Sequence, residues 1–418
     1  MHTQAPSPPS FGASTERTSD PSGLVVVHGN RAERLLEVAA AWQRLRPTAP
    51  LEMQTWIVPS QGVAQWVRQT LAQGPDGIAA GLALLLPAQW LWQTYRSVLG
   101  AAAVPDRPVL DEGPLAWRLW RLLPTLHGEP FGPLQAYLAL DGDGTRRAQL
   151  AQRLADLYDQ YQVYRPDWLD DWAAGRDVLR PADGPPQPLP AAQRWQAALW
   201  RAVQADLAAS GVPTEVASRP ALHAAFVAAM RRPAAARPPG LPARLVVFGL
   251  TGLPPATLEA LALVARWCEV LVCVLNPCCE YWADIVPDAQ WLTRASARWR
   301  ERAALRSGAP AVPAPLPDDG LASGHPLLAA WGRQGRDFIA LLLAHEERPV
   351  RDRLDAALQA LGRGVDLFES PLGPDGTGPL LAQLQDVILH NRPLAEIRAR
   401  QRVVDPAADA SLRFHVCH

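Results

Sequence analysis

The sequence predicts an α/β fold in which a long run of helices interrupts a sheet. Short β-branched or apolar runs alternate with helical patterns near both ends of the chain, whereas only helical periodicity is found from Pro87 to about Met230. Strands and helices that alternate at this spacing are typical of βαβ units with parallel strands. The 418 residues indicate two or three domains, at roughly 100–200 residues per domain.

The first strand and helix pairs follow an N-terminal extension. Residues 1–23 are rich in Ser, Thr and Pro, with neither a basic nor an apolar signal region, and predict a disordered segment. Residues 24–28 (LVVVH) read as a buried strand before a helix over 31–46. A second strand over 53–58 ends at Pro59-Ser60, and a helix over 61–71 follows.

The remaining elements predict that the sheet resumes after the helices. Helices are expected over 87–99, 110–123, 146–163, 190–209 and 219–230, and a Pro-rich linker covers 232–242. Then come a strand over 244–250, a helix over 255–267, a strand over 269–275, an arginine-rich helix over 294–306, a loop over 307–324, helices over 326–346, 353–362 and 378–391, and a strand over 411–418 (SLRFHVCH). Because that strand is the last element, we expect the front part of a longer protein.

The composition excludes several chemistries. The chain has 40 basic residues, all of them arginine, and a net charge of −1. Codon bias in a GC-rich genome is a sufficient cause, but without lysine the chain by itself supports no Walker A loop, no protein-kinase site and no Schiff base. The near-zero charge means that any nucleic-acid site must be local.

The cysteines and the apolar runs bear on the compartment. The five cysteines include no CxxC pair, so we expect free thiols and a cytoplasmic location, although Cys273, Cys278 and Cys279 leave a metal site open. No run of 18 apolar residues occurs, since the longest run, 78–92, is interrupted by Gly81, Pro87 and Gln89. A membrane span is therefore not expected.

One polar stripe stands out on the predicted helix 146–163. Asp156, Asp159, Gln160 and Val163 share a face, and Leu157, Tyr161 and Tyr164 lie on the neighbouring face. Carboxylates and amides can hydrogen-bond the exposed base edges of a single strand, and aromatic rings can stack on bases. An ordinary amphipathic helix is the alternative. The 16 Trp residues are compatible with three roles, namely base stacking, sugar stacking and core packing.

Three other patterns are weak. Residues 28–31 (HGNR) follow the first strand, where a nucleotide site is expected, but contain one Gly and no GK[ST]. Asp167, Asp170 and Asp171 admit a metal-hydrolysis site, but a solvated acidic helix start is the simpler interpretation. The helix 294–306 suits phosphate contact or a solvated face.

Several longer segments together resemble a known family. They are HGNR (28–31), SQGVAQW (60–66), GIAA (77–80) with LPA (86–88), DLYDQYQVYRPDWL (156–169), PPGLP (238–242), LPP (253–255), NPC (276–278) with YWADI (281–285), PLLAAWGRQGRD (326–337) and FHVCH (414–418). They run collinearly from about residue 24 to the end of the chain. On these segments the chain resembles RecC, the gamma subunit of exodeoxyribonuclease V, the RecBCD helicase–nuclease, as an N-terminal fragment.

The resemblance implies a fold and a role. The fold would be superfamily 1 helicase-like, P-loop NTPase-like but inactivated, with an all-α insertion domain. The implied parts are 24–104 (helicase-like, first part), 105–235 (insertion), 236–405 (helicase-like, second part) and 406–418 (start of a second helicase-like domain). The role would be to hold the RecB and RecD subunits together and to scan the 3′-ended single strand for the Chi hotspot. No cofactor is expected in this chain, and the partner subunits would use ATP and Mg.

The resemblance also implies which residues read Chi. These are Gln65, Leu86, Trp92, Asp156, Leu157, Asp159, Gln160, Arg165 and Arg219. The polar members would bond base edges, Leu86, Trp92 and Leu157 would pack or stack on bases, and the arginines would contact phosphate or a base. Pro59 stands where Gln is typical of the family and Gln61 where Thr is typical, so the hotspot sequence is expected to differ.

Four functions are compatible with these patterns. The first is a non-catalytic DNA-binding scaffold, and the second is a subunit with its own ATPase or nuclease activity. A general single-stranded DNA-binding protein and a carbohydrate-binding protein that uses its Trp residues are further readings. The missing lysine and the segment DQYQVYRPDWL favour the scaffold.

Overall fold

The structure is a computed structural model. It describes residues 22–45, 52–75, 77–181, 184–213, 218–232, 237–282, 324–343, 367–399 and 408–413, together with positions 352, 354–356, 359 and 415. The predicted helix 294–306, nearly all of the loop 307–324 and most of the helix 353–362 lie outside these residues.

A parallel sheet of five strands organises the described part of the chain. Its strands are β1 (Gly23–Gly29), β2 (Gln54–Ile57), β3 (Leu82–Leu85), β6 (Arg244–Phe248) and β7 (Glu269–Leu275). Their order is β1-β7-β6-β2-β3, and every neighbouring pair is parallel. The carboxyl ends of all five strands therefore meet at one edge of the sheet. The α/β class predicted from the sequence is confirmed.

Both faces of the sheet are buried by helices. Along β1, Leu24 and Val26 join the apolar cluster on one face, and Val25 and Val27 join the cluster on the other. The strands β6 and β7 alternate in the same way. Burial on both faces explains why these strands are continuous apolar runs rather than alternating patterns.

The helices match most of the predicted ranges. Those described here are α1 (Ala32–Leu45), α2 (Gln61–Gln73), α3 (Pro87–Leu99), α4 (Glu112–Leu122), α5 (Gly132–Leu138), α6 (Thr145–Tyr164), α7 (Pro166–Ala173), α8 (Arg194–Ala209), α9 (Arg219–Met230), α10 (Pro255–Val264), α11 (Pro326–Trp331), α12 (Arg333–Leu343), α13 (Leu380–Leu389) and α14 (Leu394–Ala399). The predicted ranges 87–99 and 219–230 are confirmed residue for residue.

The helices between β3 and β6 enclose a core of their own. Its buried side chains come mostly from α4 through α8, with others from the segments that join these helices, and the largest are Trp172, Trp200 and Tyr158. Tyr158 stacks on Trp200 with ring centroids 5.5 Å apart, and its hydroxyl donates to the Gln196 carbonyl oxygen at 2.7 Å. This core is separate from the two clusters on the sheet faces.

The helix α9 connects the sheet to these helices. Its buried residues Leu222, Phe226 and Met230 belong to one sheet-face cluster together with α3 and α10. It also contacts α6. The Tyr95 hydroxyl of α3 lies 2.8 Å from Nδ1 of His223, whose Nε2 lies 3.0 Å from Glu259 of α10.

Several local predictions are wrong. The strand expected over 411–418 does not form in residues 411–413 or 415. The region expected to be purely helical contains a hairpin of β4 (Val178–Leu179) and β5 (Gln187–Pro188). The strand β3 was not predicted, because a short apolar run is compatible with either a buried strand or a helix.

The helix expected over 326–346 is broken. It divides at Gly332 into α11 and α12. The Trp282 ring packs at this point, and its Nε1 donates to Asn276 Oδ1 at 2.9 Å. A methyl group at Gly332 would lie 2.6 Å from Cζ3 of Trp282, closer than carbon atoms pack.

The acidic start of α7 is not simply solvated. Asp170 is exposed, but Asp171 is buried and accepts hydrogen bonds from Arg176 and Arg180. The hydrogen bond from Arg180 is the main cause that lowers the pKa of Asp171. Asp171 thus joins α7 to the hairpin.

The four cysteines among the described residues are free thiols. Cys268, Cys273 and Cys278 are buried, and Cys279 is exposed. Burial raises the pKa of Cys268 and of Cys273 to about 12. Among the described residues, no group of three or more His, Cys, Asp or Glu side chains is arranged to hold a metal ion. Within the same residues, no helix combines the length and apolar character that a membrane crossing requires.

We predict that Gly332→Ala destabilises the protein, whereas Gly335→Ala does not. The added methyl group at 332 would also lie 2.5 Å from the Leu328 carbonyl oxygen, but at 335 the nearest Trp282 atom is 3.7 Å away. Overpacking of this kind costs about 2 kcal/mol. Thermal unfolding of the purified protein measures the difference. Equal melting temperatures for the two variants would contradict this account of the helix break.

We also predict that Asp171→Asn lowers the free energy of unfolding by about 2 kcal/mol, the scale of hydrogen bonds to a charged group. Since the folded-state pKa is lowered, this stabilisation is present above the ordinary aspartate pKa and is lost as pH falls through the lowered value. The control is Asp170→Asn, since burial and neighbouring carboxylates raise the pKa of Asp170. Since a raised carboxyl pKa means that the charge of Asp170 does not stabilise the fold, the control should lose no stability in denaturant unfolding at pH 7. A loss of the same size in both variants would argue against the ion pairs as the cause.

Candidate nucleic-acid interface

The predicted position Leu86 and the departing position Pro59 follow neighbouring strands at the carboxyl edge of the sheet. The Val58 amide donates to the Leu85 carbonyl oxygen at 2.9 Å, so β2 and β3 end side by side. Pro59 follows β2 and Leu86 follows β3. Pro59 is exposed and Leu86 is half-buried. This placement results from the parallel sheet rather than from any contact between the two residues.

The helices α2 and α3 begin at this edge. The Ser60 hydroxyl caps α2 by accepting from the Val63 amide at 3.3 Å, a common helix start. Gln61 and Gln65 then lie exposed on the first turns of α2. Their amides are available to solvent, as hydrogen bonding to a base edge requires.

Trp92 on α3 is held by the protein. Its Nε1 donates to the Pro105 carbonyl oxygen at 3.0 Å, and its ring lies edge-on to Tyr95 with centroids 6.3 Å apart. The side chain is half-buried. With its only donor used inside the protein, Trp92 offers a fixed ring surface, which suits stacking better than hydrogen bonding.

The polar stripe of α6 is partly exposed. Asp156 and Gln160 are exposed, Leu157 and Asp159 are half-buried, and Gln160 Nε2 donates to Asp156 Oδ1 at 3.2 Å. The opposite face of α6, with Leu154 and Tyr158, is buried in the helical core. The helix is thus amphipathic, and its outer face carries carboxylates and an amide.

The aromatic side of the stripe divides into one core residue and one exposed residue. Tyr161 packs edge-on to Trp168 and Trp172, and its hydroxyl donates to Gln196 Oε1 at 3.0 Å. Tyr164 is 66% exposed. The interpretation of Tyr161 as a base-stacking residue is therefore weakened, and Tyr164 alone keeps an open ring.

Arg219 is the first residue of α9 and joins two carboxylates. Its Nη2 lies 2.5 Å from Asp111 Oδ1 and 3.0 Å from Asp159 Oδ1. The second contact is an ion pair without an aligned hydrogen bond, because that Asp159 oxygen is buried and has no hydrogen-bond partner. Burial raises the pKa of Asp159, and Arg219 opposes the shift. The arginine thus favours the charged form of this half-buried carboxylate, while burial favours the neutral form.

Arg165 lies between α6 and α7 and is also paired. Its guanidinium donates to both oxygens of Asp167, at 2.9 and 2.7 Å, and also to the Arg180 carbonyl oxygen. It stacks over the Trp168 ring, 3.9 Å from the centroid. About 30% of its side chain is exposed.

The predicted residues form two groups that meet at α9. One group lies on the segments that follow β2 and β3, at the starts of α2 and α3. The other lies on α6 and next to it, where Arg165 follows α6 and Arg219 begins α9. Since α9 contacts both α3 and α6, Arg219 lies at the junction. Asp111, Asp167 and Trp168 were missed as partners of the arginines. Asp167 and Trp168 follow Arg165 closely in sequence and were recognisable, whereas Asp111 is 108 positions from Arg219 and was not.

This surface has the chemistry to recognise an unpaired strand. Carboxylates accept from the amino groups of cytosine or guanine, glutamine pairs with adenine, and rings stack on bases. Both arginines already have carboxylate partners, so a phosphate or base must compete with a protein acceptor. Such a surface attracts phosphate less strongly than unpaired arginines do.

A different structure lies at the carboxyl end of β1, where a nucleotide site was considered. Glu369 forms ion pairs with Arg31 at 3.0 Å and with Arg34 at 2.5 Å. The Asn30 side chain donates to the Glu369 carbonyl oxygen at 2.7 Å. A methyl group at Gly29 would lie 3.2 Å from Leu367. The segment of Leu367 and Glu369 thus packs against the turn before α1, where a phosphate loop would lie.

The comparisons with known proteins agree with the resemblance. The family model described as RecC, N-terminal domain, matches residues 24–391. The chain is 36% identical to the RecBCD enzyme subunit RecC of Escherichia coli K12 and 31% identical to that of Haemophilus influenzae Rd, over 94% of the chain in both. It is 26% identical, again over 94%, to the RecBCD enzyme subunit RecC of Mycobacterium tuberculosis.

The matched region covers a limited part of these relatives. The chain spans 34% of the E. coli protein, 35% of the H. influenzae protein and 31% of the M. tuberculosis protein, or about a third of the length of the curated relatives it matches. The family model and the first two relatives agree on one assignment. The chain belongs to the RecC family and corresponds to its N-terminal domain.

Proposed function

We propose that this chain is the N-terminal part of a non-catalytic subunit of a RecBCD-type helicase–nuclease, which acts in double-strand break repair by homologous recombination. It holds RecB and RecD together in a heterotrimer, channels the 3′-ended single strand and scans it for the Chi hotspot. The observation that carries the proposal is the exposed stripe of α6, with Asp156, Asp159 and Gln160 next to the paired arginines. Membership of the RecC family supports it.

The reading surface is proposed to combine nine side chains, namely Gln65, Leu86, Trp92, Asp156, Leu157, Asp159, Gln160, Arg165 and Arg219. The acceptors on α6 select base amino groups, and the fixed ring of Trp92 stacks on a base. Pro59 has no polar side chain, although it lies at the same edge as Leu86. We therefore infer that the hotspot read by this protein differs from that of relatives with glutamine at this position.

For the fold, we propose a superfamily 1 helicase-like domain interrupted by an all-α insertion domain. The supporting observations are the parallel sheet and the separate core of α4 through α8 between β3 and β6. The proposed parts remain 24–104, 105–235, 236–405 and 406–418. The helix α9, although inside the proposed insertion 105–235, contributes its buried residues to the sheet core.

We propose that the chain by itself neither hydrolyses ATP nor cuts DNA, and that its partner subunits use ATP and Mg. The support is the lysine-free sequence, together with Glu369, whose pairing with Arg31 and Arg34 engages the two arginines that a phosphate would need at the end of β1. A subunit with its own ATPase activity is the alternative, and the missing lysine disfavours it. The relatives are named as subunits of the RecBCD enzyme, consistent with activity in the complex.

We further propose a cytoplasmic location. The described cysteines are free thiols, and three of them are buried, as expected for a protein kept in a reducing compartment.

The first functional prediction concerns sequence reading. Asp159→Ala and Arg165→Ala should each weaken hotspot-dependent control of cleavage about tenfold, since one lost base contact costs about 1–3 kcal/mol. The full-length subunit, assembled with RecB and RecD, is tested on linear duplexes that carry a randomised octamer, and cleavage ends are sequenced. The control is Glu129→Ala, an exposed carboxylate in the helical cluster outside the proposed surface.

Unchanged hotspot-dependent cleavage in both variants would refute the site. A uniform loss of single-strand affinity without loss of discrimination would instead favour a general single-stranded DNA-binding protein.

The second functional prediction concerns nucleotide. The isolated full-length subunit should show no saturable binding of a fluorescent ATP analogue at micromolar concentrations, and Glu369→Ala should not create it, because no lysine is present here to hold the phosphates. A catalytically intact RecB subunit is the positive control. Micromolar binding that maps to residues 28–34 by crosslinking would overturn the proposal.

A further inference from the structure

The guanidinium of Arg165 is held in one orientation by two residues that follow it closely in the chain. Asp167 accepts from Nε at 2.9 Å and from Nη2 at 2.7 Å, a bidentate pair. Such a pair fixes the plane of the guanidinium as well as its position. In the part of the chain that the structure describes, no protein acceptor takes a hydrogen bond from Nη1.

Trp168 supports the same group from one side. The guanidinium carbon of Arg165 lies 3.9 Å from the Trp168 ring centroid, a cation–π contact. The Trp168 ring is in turn packed edge-on against Tyr161 at 5.4 Å and lies 6.1 Å from the Trp172 ring. One face of the guanidinium is therefore covered by a ring whose own position is set by the helical core.

A third contact ties the arginine to the hairpin. The Arg180 carbonyl oxygen accepts from Arg165 Nη2, and the Arg180 side chain is bound by the buried carboxylate of Asp171. The guanidinium of Arg165 is thus held by elements anchored in the core. Its second face and its Nη1 edge remain for a ligand, in agreement with a side chain 30% exposed.

We propose that Asp167 and Trp168 are positioning residues for sequence recognition by Arg165. This inference rests on the proposed function. An unpaired arginine would attract any phosphate, whereas Asp167 cancels part of that attraction, and Trp168 presents the guanidinium in one plane. Asp167 and Trp168 together form a clamp on Arg165. This clamp lowers sequence-independent affinity for a strand and increases discrimination between strand sequences, because less conformational freedom is lost when the correct base binds.

The clamp predicts that affinity for an arbitrary strand and discrimination between strand sequences change in opposite directions when it is removed. Asp167→Asn removes a negative charge and loosens Arg165, so binding to oligo-dT should tighten about twofold to threefold while discrimination between octamers falls about fivefold. A residue with only a structural role would not raise one quantity and lower the other. Asp170→Asn is the matched control, since it removes one negative charge from the same helix at an exposed position with no contact to Arg165. It should not alter discrimination.

The experiment uses the full-length subunit assembled with its partner subunits. Discrimination is measured on duplexes with a randomised octamer, and affinity is measured with oligo-dT over a salt series. Trp168→Leu is combined with Arg165→Ala in a double-mutant cycle. We expect Trp168→Leu to reduce discrimination about fivefold in the wild type and to have no further effect in the Arg165→Ala background. Trp168→Phe, which keeps a ring under the guanidinium, should retain most of the discrimination.

Three outcomes would overturn the inference. The first is that Asp167→Asn leaves discrimination between octamers unchanged. The second is that Trp168→Leu reduces discrimination by the same factor in the wild type and in the Arg165→Ala background. If Arg165→Ala itself leaves discrimination unchanged, the proposed reading role of Arg165 fails along with the clamp. If Arg165→Ala reduces discrimination and Asp167→Asn does not, only the clamp is refuted.

Discussion

The burial of both sheet faces is the constraint on which the rest of the structure depends. Five parallel strands with apolar residues on each face leave no room within the sheet for polar function. Polar side chains are therefore confined to the loops and helix starts at the carboxyl edge and to the helices beyond it. At one end of that edge Glu369 covers the turn after β1, and at the other end Pro59 and Leu86 are accessible. The two ends of the same edge therefore differ in accessibility.

Charge pairing limits how the arginines of the proposed reading surface can act. The two arginines of the proposed reading surface each face carboxylates, Arg219 with Asp111 and Asp159, and Arg165 with Asp167. In a chain without lysine, arginine provides every cationic side chain except histidine. Paired guanidinium groups keep their geometry but lose long-range attraction, and this combination suits a surface over which a strand passes while its bases are inspected.

Periodicity predicted the long elements well and the short ones poorly. The helix α3 was predicted to the residue because Pro87 marks its start, and β7 because six apolar residues after Glu269 end at Asn276. The strand β3 and the break at Gly332 were missed. Both depend on neighbours distant in sequence, since β3 is defined by pairing with β2 and the break by the Trp282 ring.

The sequence by itself determined the α/β class, the absence of lysine chemistry, the stripe on α6 and the family resemblance, because each of these is a local or collinear pattern. Only the tertiary structure decided what the charged groups do. Asp171 is a buried anchor and not a solvated residue, Glu369 reaches the start of α1, and Arg219 pairs with Asp111 from a distant part of the chain. The physical reason is that burial and ion pairing depend on which segments pack together, and residue spacing carries no information about partners far along the chain.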